Sequence, residues 1–325
     1  MQLQYNIPLE QYSNFRIGGP AKYFYAVQTI AELEEAIVKG RELGKPIFIL
    51  GGGNNLLIHD QGFDGLVIRV VIGGMHLGDN NLVTAGAGVL VSEFLDFCIK
   101  NELSGWEWAG GLPGTMGGAI WGNAGAFGGE TKDSVVHVTS LQVLGNTLHT
   151  RSREECAFGY RTSIFKEQQH SHFLKKVRMS GGQEIVTSMV LQMKKGDRAA
   201  IRAAIEEKKA YRVAKQPLEY PNVGSIFKNV PVEKVPPVVL TQFQEKIKQD
   251  PFPVLPTAVL VSAAGLKGYR IGGAQVSEKH ANFIINLGAA TAADVCAVMR
   301  HVQAVIAEKY GITLEQEVIF IGFDQ

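Results

Sequence analysis

The 325-residue chain is poor in cysteine and in charge. Its three cysteines lie far apart, and none belongs to a CxxC or Cys/His pattern. This spacing excludes a disulfide framework and gives no sign of a metal site. Lys and Arg number 32 against 31 Asp and Glu, and charged residues make up 19% of the chain. The sequence therefore lacks the basic excess of a nucleic-acid-binding protein.

Long apolar runs are also missing, and we expect no leader sequence. The first eight residues, MQLQYNIP, have neither a basic start nor an apolar centre, so we predict no signal peptide. No apolar run approaches the roughly 20 residues that a membrane-spanning helix needs. Hydrophobic residues still make up 46% of the chain, which is enough for a substantial core. We therefore expect a soluble protein of the cytoplasm.

The best-known phosphate-binding loops are absent as well. The chain contains no GxxxxGK[ST] motif, which excludes a P-loop. The run Gly51–Gly53 would need a further glycine at position 56 for the dinucleotide fingerprint, and position 56 is leucine. The pair Gly86 and Gly88 fails in the same way. A Rossmann domain is therefore not supported.

What the chain does have is glycine, concentrated in two runs. Residues 108–130 are too glycine-dense for an ordinary helix or strand, because each glycine inside such an element costs about 0.5–1 kcal/mol relative to alanine. Close approach of bare main-chain N–H groups to a flat or anionic ligand would explain the run. A shorter run, residues 51–57, is equally well explained as a tight turn. Together the two runs suit a large cofactor with a diphosphate and a ring system.

Apolar periodicity predicts a mixture of helices and strands. Helices are predicted over 30–43, 200–215 and 291–310, and a further helix is predicted to be capped by Ser92. Strands are predicted over 46–50 and 66–71, around 135–148 and 185–193, and over 317–322. The stretch 230–256 contains six prolines, and we expect it to be irregular.

Ten motifs follow one another along nearly the whole chain. They are GGGNNLL at 51–57, GFDGLVI at 62–68, GGLPGTMGGA at 110–119, NAGAFGGE at 123–130, YRTS at 160–163, GSIFKN at 224–229, GLKG at 265–268, GGAQVS at 272–277, HANFIIN at 280–286 and LEQEV at 314–318. The ordered set resembles the UDP-N-acetylenolpyruvoylglucosamine reductase family, the MurB family. The chain looks like the branch of that family without a tyrosine loop over the substrate.

The resemblance implies an α+β fold. It combines a two-subdomain FAD-binding fold of the vanillyl-alcohol-oxidase type, which has no Rossmann fingerprint, with an α+β substrate-binding domain. The expected domains are residues 1–70 as the first FAD-binding subdomain, 71–200 as the second, and 201–316 for the substrate. A C-terminal strand within 317–325 is expected to return to the first subdomain.

The resemblance also implies a reaction. NADPH would reduce non-covalently bound FAD, which would reduce the enolpyruvyl group of UDP-N-acetylglucosamine enolpyruvate to give UDP-N-acetylmuramate for peptidoglycan. Hydride transfer from flavin N5 leaves negative charge on the neighbouring carbon and its carboxylate, so the site needs positive groups and a proton source. Arg161 fits the carboxylate, because its planar fork can donate two hydrogen bonds. Ser225 fits the proton donor.

Glu317 resembles the catalytic glutamate of the family. Glu315 would share its face in an extended strand, so the pattern alone does not separate the two. The expected cofactor contacts are Gly51, Gly52, Gly53, Asn54, Asn55, Leu56, Gly111, Pro113, Gly114, Thr115, Gly117, Gly118, Ile120, Asn123, Gly125 and Ala126. The expected substrate contacts are Tyr160, Lys228, Asn229, Gln275, His280 and Asn282. We expect no metal, no nucleic acid, no membrane partner and a monomeric protein.

Four positions depart from the family pattern. Asn54 stands where serine is frequent, Val230 where proline is, Ser262 where an acidic residue is, and Ile319 where arginine is. All but the first concern the substrate side more than the flavin side. Two other functions stay open at this point: an FAD oxidoreductase of the same fold that acts on a small alcohol, and a non-catalytic flavin-binding protein.

Overall fold

The computed structural model of the chain describes residues 1–170, 183–249 and 252–323. Its helices are α1 (Ile30–Glu42), α2 (Val91–Asn101), α3 (Met116–Gly122), α4 (Ile164–His170), α5 (Arg198–Lys215), α6 (Pro237–Gln242), α7 (Thr257–Ala263) and α8 (Ala292–Tyr310). Its strands are β1 (Gln4–Pro8), β2 (Pro20–Val27), β3 (Ile47–Leu50), β4 (Leu56–Ile58), β5 (Phe63–Val70), β6 (Met75–Leu77), β7 (Leu82–Gly86), β8 (Leu103–Ser104), β9 (Gly125–Ala126), β10 (Gly129–Glu130), β11 (Val135–Gln142), β12 (Thr147–Ser152), β13 (Glu184–Gln192), β14 (Lys194–Lys195), β15 (Val230–Pro231), β16 (Val254–Leu255), β17 (Arg270–Ile271), β18 (Ala274–Val276), β19 (Ile284–Asn286) and β20 (Ile319–Ile321). This mixture of helix and strand confirms the α+β prediction.

The chain divides into two compact units, and each has its own hydrophobic core. The first unit comprises Met1–Ile7, Ala21–Gly52 and Asp64–Ala210. The second unit comprises Pro8–Pro20, Gly53–Phe63 and Tyr211–Gln325. The division into three domains at residues 70, 200 and 316 stays a prediction.

One sheet of the first unit has the strand order β1-β2-β5-β3, with β3 and β5 parallel. Helix α1 begins at a reciprocal cap. The Thr29 hydroxyl accepts the Glu32 N–H at 3.2 Å, and the Glu32 carboxylate accepts the Thr29 N–H at 3.3 Å. Leu33 and Ile37 lie on one face of α1 and are fully buried. The helix predicted over 30–43 is therefore confirmed.

A second sheet of the first unit is antiparallel, in the order β12-β11-β13-β7-β6. Helix α2 precedes the glycine-rich run and buries Phe94 and Cys98. The prediction that Ser92 caps α2 was wrong, because the helix begins at Val91. The carboxylate of Glu93 instead accepts the N–H of Leu90 at 3.0 Å and closes the first turn.

The second unit is organised around α8. The Thr291 hydroxyl accepts the N–H of Asp294 at 3.0 Å, and Gly311 ends the helix at φ +65°. The carboxylate of Asp60 also accepts the N–H groups of Ala292 and Ala293, at 2.7 and 3.2 Å. Both ends of α8 therefore lie where the sequence predicts them.

The remaining strands of the second unit are short. Strand β20 pairs in parallel with β4, and β17, β18 and β19 form an antiparallel sheet. The proline-rich stretch 230–256 is less irregular than predicted, because it contains the β15–β16 pair and helix α6. Pro237 occupies the first turn of α6, where its fixed φ favours the helix and its missing N–H costs nothing.

Candidate active site

The glycine segment, residues 110–130, contains helix α3. The expectation that no helix would form here was wrong for residues 116–122. The Thr115 hydroxyl accepts the N–H of Gly118 at 3.3 Å and caps the helix. A Cβ at Gly117 would lie 2.8 Å from the Cβ of Ala87, and the Gly117 N–H donates to the Ala87 carbonyl at 2.8 Å. Glycine is needed at 117 because the helix packs directly on the neighbouring backbone.

Two other glycines of α3 have no such packing reason. Within the described residues, nothing but the Thr115 hydroxyl comes within 4 Å of a Cβ placed at Gly118, at 3.5 Å, and nothing does at Gly122. The two positions are one turn apart and form a bare strip of backbone. Each glycine costs the helix about 0.5–1 kcal/mol relative to alanine. Such a strip fits a flat ring system, as in FAD, lying against the main chain.

The first glycine loop follows β3. Gly51 and Gly52 are half-buried, and within the described residues neither N–H donates a hydrogen bond. A Cβ at Gly51 would lie 3.1 Å from the Thr115 hydroxyl oxygen, so any side chain there would crowd the cap of α3. Free N–H groups beside small residues fit the predicted role in binding a diphosphate.

The loop continues into the second unit. Gly53 is buried with φ +68°, and a Cβ there would collide with the Tyr12 carbonyl oxygen. The Asn55 side chain donates to the Glu317 carbonyl at 2.9 Å, and the Asn55 carbonyl accepts the Ile319 N–H at 3.0 Å. Asn55 therefore fixes the start of the C-terminal strand, and Gly53 permits the tight backbone that leads to it.

The predicted cofactor contacts differ in accessibility. Half-buried or exposed are Gly51, Gly52, Asn54, Asn55, Gly111, Pro113, Gly114, Gly117, Gly118, Gly125 and Ala126, whereas Gly53, Leu56, Thr115, Ile120 and Asn123 are buried. Ile120 and Asn123 have 0% exposed surface, so the structure does not support direct ligand contact by either.

The Asn123 side chain instead bonds to backbone. Its amide donates to the Gly159 carbonyl at 2.9 Å and accepts the Lys132 N–H at 3.1 Å.

Arg161 lies in a tight turn of the first unit. Gly159 and Thr162 exchange two backbone hydrogen bonds, at 3.1 and 3.3 Å, and Arg161 between them has φ +57°. Its Nη2 donates to the Gly125 carbonyl at 3.0 Å, and its guanidinium carbon lies 5.2 Å from the Tyr160 ring centroid. The structure therefore brings the predicted Tyr160 and Arg161 to the glycine segment.

Ser225 and Glu317 lie on paired segments of the second unit. The Glu317 N–H donates to the Ile226 carbonyl at 2.8 Å, and the Lys228 N–H donates to the Glu315 carbonyl at 2.9 Å. Ser225, which directly precedes Ile226, is half-buried. The backbone pairing therefore makes the segment of the predicted proton donor, Ser225, a direct neighbour of the segment of the predicted glutamate, Glu317.

The structure separates Glu315 from Glu317, which the sequence could not. Glu317 is half-buried, whereas Glu315 is exposed and pairs with Lys234 at 2.8 Å and Lys228 at 3.3 Å. The hydrogen bond from Lys234 is the largest cause that lowers the pKa of the Glu315 carboxyl. Glu315 is thus occupied as the anion of a lysine cluster.

Asn282 holds the segment that carries Ser225. Its amide donates to the Phe227 carbonyl at 2.8 Å and accepts the Phe227 N–H at 3.2 Å, and its own carbonyl accepts the Ile226 N–H at 2.9 Å. We call this set of contacts the amide clamp. Asn282 is 4% exposed, so both ends of its side chain are committed to the backbone and the predicted substrate contact finds no support.

The other predicted substrate residues have mixed surroundings. The side-chain oxygen of Asn229 accepts the Thr257 N–H at 3.2 Å. Gln275 is half-buried in β18. His280 accepts the Asn282 N–H at 3.3 Å through Nδ1, and its ring packs in a T-shaped arrangement with the Phe283 ring, with 4.6 Å between the ring centroids. Burial lowers the pKa of His280 to about 4, so the ring is neutral at pH 7. His280 supports the amide clamp.

In the part of the chain that the structure describes, no group of three or more His, Cys, Asp or Glu side chains is placed to hold a metal ion. Within the same residues, no helix combines the length and the apolar character needed to cross a membrane.

Sequence reasoning missed the residues that hold the site together. The Lys166 ammonium group donates to the Arg161 carbonyl at 2.8 Å, and the Ser163 hydroxyl donates to the Trp121 carbonyl at 2.7 Å. The sequence predicts ligand contacts for Asn123 and Asn282, whereas both amides bond to backbone. The contacts of Ser163, Asn123 and Asn282 with backbone carbonyls join residues distant in sequence, whereas Lys166 and Arg161 are five residues apart. Only the YRTS motif gave a signal, through Ser163.

Two family models match this chain. A family model described as an FAD binding domain matches residues 21–151. A second model, the C-terminal domain of UDP-N-acetylenolpyruvoylglucosamine reductase, matches residues 216–321. The two matches account for most of the chain and follow the order that the motifs predict.

Full-length relatives carry the same name. A protein of Limosilactobacillus fermentum named UDP-N-acetylenolpyruvoylglucosamine reductase is 37% identical over 322 residues, covering 99% of this chain and 95% of that protein. A protein of Geobacillus kaustophilus with that name is 36% identical over 315 residues, covering 97% and 91%. The crystal structure of the Thermus caldophilus enzyme of that name has a TM-score of 0.75 at 29% identity and covers 99% of both chains.

These matches confirm the predicted fold class, FAD as the cofactor and the class of FAD-containing oxidoreductases. They do not test individual site residues. With relatives above 30% identity over almost the full length of both proteins, the chain belongs to the UDP-N-acetylenolpyruvoylglucosamine reductase family.

Proposed function

We propose that this protein reduces the enolpyruvyl group of UDP-N-acetylglucosamine enolpyruvate to give UDP-N-acetylmuramate, with NADPH as the reductant. The reaction belongs to peptidoglycan synthesis. The observation that carries the proposal is the near-complete coverage of relatives whose name states this reductase activity. The motifs YRTS, GSIFKN and LEQEV, which supply the proposed catalytic residues, are all present.

The cofactor is held mainly by backbone. Gly51 and Gly52 offer N–H groups to the diphosphate, and the bare strip at Gly118 and Gly122 accepts the ring system. Bound FAD supplies the two-electron hydride chemistry, and the protein holds it non-covalently. The protein's own side chains bind the substrate, stabilise developing charge and move the proton.

Arg161 binds the substrate carboxylate. Its guanidinium stays charged at all working pH values and presents N–H donors in a plane, which matches a carboxylate. Its Nη2 contact with the Gly125 carbonyl fixes one edge of the group. Negative charge grows on the carbon next to the carboxylate as the reaction proceeds. The contact between the Arg161 guanidinium and the carboxylate then strengthens, which stabilises the transition state and lowers the barrier.

Ser225 donates the proton to that carbon, and Glu317 polarises the enol. A hydroxyl is a weak acid, but a carbanion beside a carboxylate is a strong base, so transfer is feasible when the hydroxyl is held in place. The pairing of residues 226–228 with 315–317 and the amide clamp support this proposal, because they fix the backbone that follows Ser225. The remaining substrate contacts that we propose are Tyr160, Lys228, Asn229 and Gln275.

Purified protein tests the proposal directly. We expect NADPH oxidation that depends on the enolpyruvyl substrate and yields UDP-N-acetylmuramate, detected by mass spectrometry. Acid denaturation should release all of the FAD into solution. Flavin that stays attached to the denatured chain, or NADPH oxidation that ignores the UDP-sugar, would contradict the proposal and favour a different flavoenzyme. The monomeric state and the cytoplasmic location stay predictions.

A further inference from the structure

The backbone of Arg161 is held in a conformation that arginine rarely adopts. At φ +57° it lies in the left-handed region, where the Cβ is crowded by the carbonyl oxygen. Gly159 and Thr162 close the turn with two backbone hydrogen bonds. Such a conformation persists where surrounding contacts fix it. Contacts of this kind hold the Arg161 backbone.

Lys166 supplies one of these contacts. Its Nζ donates to the Arg161 carbonyl oxygen at 2.8 Å, and a charged donor makes this a strong hydrogen bond. The Lys166 residue is 6% exposed, and its ammonium group lies 5.0 Å from the centroid of the Trp121 indole. The Trp121 carbonyl in turn accepts the Ser163 hydroxyl at 2.7 Å, which anchors the chain between Arg161 and Lys166.

Local stability does not explain a lysine at this position. Residue 166 lies in the first turn of α4, where a positive charge opposes the helix dipole. Burying an ammonium group is also costly unless it is hydrogen-bonded. The helix therefore does not gain from the charge. Besides its contact with the Trp121 ring, the lysine provides a hydrogen bond to the Arg161 carbonyl, which the uncharged and one-atom-shorter side chain of methionine would not.

We propose that Lys166 is a positioning residue for Arg161, which it holds in the left-handed conformation that presents the guanidinium to the substrate carboxylate. This inference rests on the carboxylate role of Arg161 proposed above. It predicts that loss of the Lys166 ammonium group impairs recognition of the carboxylate and leaves recognition of the rest of the substrate intact.

Two ligands separate those effects in a binding experiment. UDP-N-acetylmuramate carries the carboxylate, whereas UDP-N-acetylglucosamine lacks the whole lactyl group. Their affinities for the FAD-loaded protein are measured by titration calorimetry for the wild type, Lys166→Met, Arg161→Ala and the double variant. Lys208→Met is the matched control, because Lys208 also lies over an aromatic ring, Phe127 at 5.4 Å, and is not bonded to Arg161.

We expect Lys166→Met to lower the affinity for UDP-N-acetylmuramate about tenfold. The affinity for UDP-N-acetylglucosamine should change less than twofold. In the Arg161→Ala background, Lys166→Met should add less than twofold, because the group it positions is gone. Equal weakening of both ligands would mean a general structural role and would overturn the inference. So would an unchanged affinity for UDP-N-acetylmuramate, or a full tenfold loss on top of Arg161→Ala.

The Arg161→Ala variant distinguishes failure of this inference from failure of the proposed function. If Arg161→Ala discriminates between the two ligands and Lys166→Met does not, only the role of Lys166 is wrong. If Arg161→Ala fails to discriminate, the carboxylate assignment falls and this inference falls with it. Should Lys166→Met not retain FAD, Lys166→Gln, which is uncharged and whose side chain is one atom shorter, must show the same selective loss.

Discussion

The glycine segment of the first unit and the paired segments of the second unit present their proposed functional groups in different ways. The glycine segment offers main chain, because Gly118 and Gly122 leave the surface of α3 bare. The paired segments 225–228 and 315–317 offer side chains, the proposed Ser225 and Glu317, and are held by backbone hydrogen bonds and by the buried amide of Asn282. A backbone site is visible in composition, whereas a side-chain site depends on partners far away in sequence.

The largest expected effect comes from the second unit. Ser225→Ala removes the proposed proton donor, so flavin reoxidation by the enolpyruvyl substrate should slow by about 10²–10⁴-fold. Flavin reduction by NADPH should stay within twofold, because no proton from Ser225 is needed there. Stopped-flow absorbance measures the two halves separately, with Ser262→Ala, an exposed serine of α7, as the control. An equal loss in both halves would remove Ser225 from the proposed role.

The amide clamp gives the next prediction. Asn282→Leu keeps the branched shape of the side chain but leaves the Phe227 N–H and carbonyl without their buried partner, which should cost about 1–3 kcal/mol of unfolding free energy. Asn101→Leu is the comparison, because the Asn101 amide bonds only the Phe97 carbonyl of its own helix at 2.8 Å. Urea unfolding measures both. Equal losses in the two variants would show that the clamp adds nothing to ordinary helix capping.

His280 sharpens the comparison through pH. Its folded pKa of about 4 lies below the ordinary 6.5, so the unfolded chain takes up the proton first as the pH falls. The contribution of His280 to the free energy of unfolding should therefore be fully present above pH 6.5. It should be lost between about pH 6.5 and 4, which lowers the free energy of unfolding by about 1–3 kcal/mol. His280→Gln should flatten this decline, measured by urea unfolding across that range. The exposed His76 gives the control, and a decline unchanged in His280→Gln would exclude His280 as its source.

The smallest effects, of opposite sign, come from the glycine segment. Gly118→Ala and Gly122→Ala should each raise the stability of the FAD-free protein by about 0.5–1 kcal/mol, because alanine favours the helix. Both should weaken FAD binding, because the new methyl groups stand where the ring system lies. Gly117→Ala should instead destabilise the protein, since its Cβ would meet Ala87 at 2.8 Å. Thermal melts with and without FAD measure both quantities, and unweakened FAD binding would contradict the bare-strip account.

Local features of the fold could be predicted from the sequence. Helices α1 and α8 begin at Thr29 and Thr291, where each hydroxyl and the acidic residue three positions later close a reciprocal cap. The cap of α2 was missed because Glu93 closes the first turn onto the Leu90 N–H, which Ser92 does not reach. A helix cap can be predicted from the sequence when the capping side chain is a threonine directly before the helix and an acidic residue follows three positions later.

Tertiary features could not be predicted. Helix α3 survives its glycines because Gly117 packs on Ala87, a contact between segments about 30 residues apart in the chain. Asn282 and Asn123 carry amides that the sequence assigns to ligands, yet both donate to backbone carbonyls. The motifs indicated candidate residues, and only the structure showed which of their side chains are bonded to backbone.

A single-turnover experiment tests the central claim most directly. The protein, reduced by one equivalent of NADPH without oxygen, is mixed with UDP-N-acetylglucosamine enolpyruvate while the visible flavin absorbance is followed. We predict rapid recovery of the oxidised spectrum together with one equivalent of UDP-N-acetylmuramate. A flavin that stays bleached in the presence of this substrate would contradict the account.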